Sequence, residues 1–259
     1  MEPATKITAL IMAAARSHDD PMAQAFKAEH KCLIEIDGTP MLVRVVEALK
    51  STPEIESIGV SIDRFNVLSK ISELQTLELF KSADSAPNSV TKAIEQLDQP
   101  FPLLVTTADH ALLTREIIED FCRKAQNTDC DIAIGLAKRA SIERADITTK
   151  RTYFRFQNGD YSGCNLYYLK SEKALNAVRF WHKIDRIRKK PWALAKTFSL
   201  LIMIKYMLGI LTLQAGLEYA SNLLDVRVDA VILDQGEAAI DVDKPEDHAL
   251  VTKLLQKRR

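Results

Sequence analysis

Leu103-Leu104-Val105-Thr106-Thr107, continued by Ala108-Asp109-His110, is a run of apolar and β-branched residues that closes on an acid. An unbroken apolar run of this length reads as a strand buried on both faces. Thr114 then stands where a helix N-cap belongs, with Glu116 and Ile117 in the first turn of a helix over 114–125. A further strand follows at Asp131–Leu136. A buried strand, a crossover helix and a second strand form the unit from which parallel sheets are built.

The same alternation extends upstream. Ile7–Ala13 reads as the first strand, Pro40–Lys50 as a helix, Ser57–Ile62 and Thr76–Phe80 as strands, and Ser89–Leu97 as a helix. Within Pro40–Lys50 the apolar residues Met41, Leu42, Val45, Val46 and Leu49 recur at helical spacing. In a sheet of this kind ligands bind beyond the carboxyl ends of the strands, which directs attention to the segments after Ala13, Phe80 and Thr107.

Past residue 140 the pattern changes. Arg151–Phe156 and Tyr161–Leu169 read as a hairpin around Asn158-Gly159, and helices are expected over 172–189, 192–208 and 212–224. A closing strand pair, Val226–Leu233 and Ala238–Val242, leads to a helix at Pro245–Gln256 with Asp243 as a candidate cap. The expectation is a single α/β domain with an inserted helical section.

Composition narrows the function classes. The chain has 259 residues, 35 Lys+Arg against 35 Asp+Glu and 47% apolar residues. Zero formal charge argues against a general nucleic-acid binder, which needs excess cations to displace counterions from phosphates. Cys32, Cys122, Cys130 and Cys164 are widely spaced, which indicates neither a disulfide framework nor a zinc site and suits a cytoplasmic location. The apolar stretch 192–213 is interrupted by Lys196 and Lys205, so no transmembrane helix is expected.

Three segments carry candidate chemistry. At Ala13-Ala14-Ala15-Arg16, small residues let backbone N–H groups approach a phosphate, whose charge Arg16 and Lys31 would neutralise; ordinary strand packing and a surface arginine account for the same residues. Asp109 at a strand end is placed to hold Mg²⁺ or to cap a turn. Asp241 and Asp243 alternate along an expected strand and would share one face and a cation, although Asp243 also suits a helix start.

These blocks, ALIMAAAR at 9–16, HKCLIEIDGTPML at 30–42, LLVTTADHALLT at 103–114, YSGCNLYYL at 161–169 and AAIDVDKPEDHALV at 238–251, together resemble the MobA-like nucleotidyltransferases. The resemblance runs nearly end to end. It implies a Rossmann-like, GT-A-type, mostly parallel sheet flanked by helices, with a nucleotide-binding half at 1–140 and an acceptor half at 141–259 that carries a helical insertion over 171–225. The implied reaction moves NMP from an NTP to a phosphorylated or hydroxyl acceptor, small or lipid-linked, with release of pyrophosphate. By the same resemblance, Ala13, Ala14 and Ala15 line the nucleotide, Arg16 grips the triphosphate, Lys31 meets the α-phosphate, and Asn88 and Ser89 contact base or ribose. Asp109 is then the principal Mg²⁺ ligand, with Asp243 or Asp241 completing the site, and Ser162, Gly163 and Asn165 form an acceptor-side turn. A GT-A glycosyltransferase using an NDP-sugar is the alternative enzyme, although Asp109-His110-Ala111 is not its usual Asp-x-Asp. A non-catalytic, membrane-associated nucleotide-binding relative is the alternative outside enzymes.

Two features depart from a standard member. Residues 13–37 contain no glycine. Alanine in their place costs little at negative φ and about 1 kcal/mol or more at positive φ. The segment 179–192 has six basic residues against one acid and precedes a very apolar helix. It reads in three ways: a solvated basic face over a helix packed on the sheet, an acceptor-phosphate clamp using Arg186, Arg188 or Lys190, or a peripheral membrane contact spanning 179–213.

Overall fold

The computed structural model describes residues 6–15, 20–145, 151–187 and 197–258. In chain order its first half contains β1 (Ile7–Met12), α1 (Pro21–Ala25), β2 (Glu35–Ile36), β3 (Thr39–Pro40), α2 (Met41–Lys50), β4 (Ile55–Ile62), β5 (Glu78–Lys81), α3 (Ala86–Ile94), β6 (Leu103–Thr107) and α4 (Arg115–Gln126). The second half contains β7 (Ile132–Lys138), α5 (Arg139–Arg144), β8 (Phe154–Phe156), β9 (Gly159–Leu169), α6 (Leu175–Ile187), α7 (Leu200–Met207), α8 (Leu213–Leu224), β10 (Val228–Leu233) and α9 (Pro245–Lys257).

The main sheet has the order β5-β4-β1-β6-β9-β7-β10, with β8 paired to the start of β9. β1 lies parallel to β4 and β6, β4 to β5, and β7 to β10. β9 is antiparallel to both β6 and β7, so the sheet is mostly parallel and mixed rather than wholly parallel. The core forms where the apolar stripe of α2 (Leu42, Val45, Val46, Leu49) and that of α4 (Ile117, Ile118, Phe121) are buried together with β1 and β6. Thr114 caps α4 by accepting from the Ile117 N–H at 3.4 Å. All four cysteines are buried and free.

Local differences from the sequence expectation have physical causes. Helix α3 begins at Ala86 rather than Ser89, because Ser85 is the N-cap and Pro87 is tolerated in a first turn. Ala238–Val242 is not a strand. Gly236 lies so close to the α5 backbone that a Cβ there would stand 2.3 Å from the Ser141 carbonyl oxygen, and residues Gly236–Ala239 turn instead of joining the sheet. Asp243 does not cap α9; the Asp247 carboxylate accepts from the Asp243 and Lys244 N–H groups at 3.2 and 3.0 Å, which releases the Asp243 side chain. The hairpin is present, with β8 and β9 joined through Gln157-Asn158 and Gly159 at φ 139°.

Candidate active site

Two acids stand at the carboxyl ends of the two strands that flank β1, Asp63 just after β4 and Asp109 just after β6. A short 3₁₀ turn, Lys31–Leu33, brings Lys31 to the same end. Its Nζ donates to Asp109 Oδ2 at 2.7 Å and to Asp243 Oδ1 at 2.6 Å. Burial works against the charged ammonium, but the Asp109 and Asp243 carboxylates outweigh it and raise the Lys31 pKa, so the side chain is cationic at neutral pH. Asp243 arrives from the segment before α9, where the Val242 N–H is held by the Asp109 carbonyl at 3.0 Å.

The turn that carries Lys31 is itself anchored. His30 caps it, its Nδ1 accepting from the Cys32 N–H, which leaves Nε2–H to donate to Asp63 Oδ1 at 2.9 Å. The same Oδ1 accepts from the Ala15 N–H at 3.0 Å. Asp63 therefore ties the loop after β1 to the turn bearing Lys31. Partial burial opposes its ionisation, yet His30 and the Ala15 N–H overcome this and hold the carboxyl below its usual range. The Ala13 N–H is bound to the Ser61 carbonyl at 2.9 Å, which leaves Ala14 as the exposed alanine of the three. None of Ala13, Ala14 and Ala15 has positive φ, so alanine serves here without strain where a glycine was expected.

Asp241 and Asp243 do not share one face. Asp241 pairs with Arg151 at 2.7 Å and accepts from Asn165 Nδ2 at 3.3 Å. Asn165 has φ 49° within an irregularity of β9, where the pairing of Ile134 with Tyr167 is followed by that of Leu136 with Gly163. Such a bulge re-aims a side chain at a sheet end. Ser162 is buried nearby, and a Cβ on Gly163 would meet no atom within 4 Å, so this turn borders open space.

The start of α3 is more self-contained. Ser89 is buried, its hydroxyl accepting from the Ala83 N–H and donating to the Ser85 carbonyl. Asn88 contacts Asp84 at 2.7 Å and His182 of α6 at 3.3 Å. Arg16 and Arg188 lie outside the described residues, and Arg186 is described only as part of the backbone of α6. Sequence reasoning missed Asp63 as a site residue. Asp63 follows a strand end, as Asp109 does, and that position was the available signal.

Among the described residues no group of three or more His, Cys, Asp or Glu side chains gathers to hold a metal ion. Two carboxylates do converge, those of Asp109 and Asp243 on Lys31, and the buried Asp109 Oδ1 makes no hydrogen bond. One or two carboxylates with an unused oxygen suit Mg²⁺, which takes its remaining ligands from water and phosphate. Asp241, held by Arg151 and Asn165, fits that role less well.

Residues 9–157 match the MobA-like NTP transferase domain. No curated protein matches the chain. Among solved structures, a hypothetical transferase from Thermus thermophilus is 24% identical with a TM-score of 0.80, over 94% of this chain and 100% of that one. 4-Diphosphocytidyl-2C-methyl-D-erythritol synthase from Anaerococcus prevotii is 12% identical with a TM-score of 0.61, over 98% and 100%. CMP:2-keto-3-deoxy-manno-octonic acid synthetase, solved with CTP, is 11% identical with a TM-score of 0.61, over the same shares. These likenesses establish the Rossmann-like fold.

Proposed function

The chain belongs to the MobA-like NTP transferase family, and from that membership we propose that it transfers the nucleotidyl group of an NTP to a phosphorylated or hydroxyl acceptor. The observation that carries the proposal is Lys31, set between Asp109 and Asp243 at the carboxyl end of the sheet. An acceptor oxygen attacks the α-phosphorus, the bond to the β-phosphate oxygen breaks, and pyrophosphate leaves with that electron pair. Negative charge collects on the α-phosphate oxygens and on the departing group, so the protein's task is positioning and cationic stabilisation.

Lys31 supplies a fixed positive charge, and the His30–Asp63–Ala15 chain holds it in register with the loop that leads to Arg16. Arg16 extends the same role to the triphosphate, with the exposed Ala14 backbone facing the nucleotide. Asp109 and Asp243 would hold Mg²⁺, which neutralises phosphate charge when bound. Ser162, Gly163 and Asn165 border the acceptor, and Arg186 and Arg188 would meet an anionic one.

The test is pyrophosphate release from each NTP with Mg²⁺ and a panel of sugar, polyol and lipid phosphates. Lys31→Met and Asp109→Asn are each expected to lower release about 10²- to 10³-fold, on the order of 3–4 kcal/mol. Turnover of an NDP-sugar without pyrophosphate, or release untouched by either substitution, would overturn the reading.

A further inference from the structure

The surface around α7 does not follow the pattern of the rest of the molecule. None of the eight residues of α7 is buried. Leu200, Leu201, Met207, Leu208 and Ile210 are 67%, 61%, 82%, 67% and 52% exposed. The expectation that this apolar helix packs on the sheet therefore fails for most of its length. Among the described residues what fastens it is narrow: Tyr206 stacks edge-on against Phe156 and its hydroxyl accepts from the Arg155 N–H, while the Ser199 N–H donates to the Tyr219 hydroxyl.

We infer that α7 and the turn after it, Leu200–Ile210, form a face that docks on an anionic lipid surface. Charge selects this occupant. The described stretch 197–217 carries one charged side chain, Lys205, and the sequence from Arg186 to Leu217 contains six basic residues (Arg186, Arg188, Lys189, Lys190, Lys196, Lys205) and no acid. A chain of zero formal charge has kept every acid out of this one segment. Arg155 and Lys183 add exposed cations on the elements beside it. No helix of the described residues is long and apolar enough to cross a membrane, and α7 is less than half the roughly 20 residues that spanning takes, so it lies in the interface plane. The face stands at the carboxyl end of the sheet, because α7 rests on the β8–β9 hairpin, whose strand β9 starts beyond the end of β7. Docking would thus place the membrane on the side of the molecule that carries Lys31 and Asp109.

Flotation of the full chain with vesicles tests this without any nucleotide, so its outcome is separate from that of the transfer assay. Vesicles of phosphatidylcholine with about one-third phosphatidylglycerol are expected to carry the protein upward, and phosphatidylcholine alone to leave it behind. Met207→Glu/Leu208→Glu, at largely exposed positions, should lower the bound fraction about tenfold while circular dichroism and Tm stay unchanged. Raising the salt should also release the protein. No flotation with anionic vesicles, or flotation indifferent to the double substitution, overturns the inference. So does a solution dimer, seen by light scattering, that the same substitution dissolves, because the face would then belong to a second copy of the chain.

Discussion

Helices α2 and α7 are both short and apolar, yet they meet opposite surroundings. Seven of the ten residues of α2 are buried, against β4 and α4, whereas α7, with seven apolar side chains in eight, buries none. Apolar content alone therefore does not decide burial. A helix sinks into the core when the chain supplies a facing surface, and for α7 the described residues supply little beyond the β8–β9 hairpin and Tyr219 of α8. The site belongs to the first kind of region, since Lys31, His30 and Asp63 each have partners from distant segments.

The contrast can be sharpened by substitution. Leu42→Ala in α2 should cost about 2–5 kcal/mol, read as a lower urea midpoint with unchanged slope. Asp63→Asn should cost about 1–3 kcal/mol at neutral pH, because a charged acceptor shared by two donors is lost. Asp63 has a lowered pKa in the folded state, so its contribution is present above the ordinary carboxylate value of about 3.9 and fades as the pH falls through the folded value. Wild type and Asp63→Asn should accordingly converge in stability in acid, and a constant gap down to low pH would contradict the assignment. Met207→Ala in α7 should change stability by no more than about 0.5 kcal/mol. A loss there as large as that for Leu42→Ala would erase the difference between the two helices.

Much of the fold is legible along the chain because period and caps are local properties. The β6–α4–β7 unit, Thr114 as cap and the hairpin follow from residues within a few positions of one another. The antiparallel insertion of β9 between β6 and β7 is not legible, because periodicity encodes the type of an element and not its neighbours. Asp109 stands out as an acid closing a buried strand, and Lys31 and Asp243 are legible as candidate phosphate and cation ligands, but nothing in the sequence shows that they meet. Asp63 escapes notice because Asp63-Arg64 looks like ordinary surface and its partner Ala15 lies 48 residues away. The Ala-Ile-Asp-Val alternation at 239–242 imitates a strand, and only the closeness of Gly236 to α5 reveals why it is not one.

The Lys31–Asp243 pair joins residues 212 positions apart. During synthesis at roughly 5–20 residues per second, Lys31 is added to the chain about 10–40 s before its second carboxylate is made. In that interval the first half can close around Lys31 and Asp109 with half of the charge arrangement absent. The centre is completed only once residue 243 has been made, so a nascent chain that ends before it carries Lys31 and Asp109 without the second carboxylate, which makes the ion pair a late arrival in the life of the polypeptide.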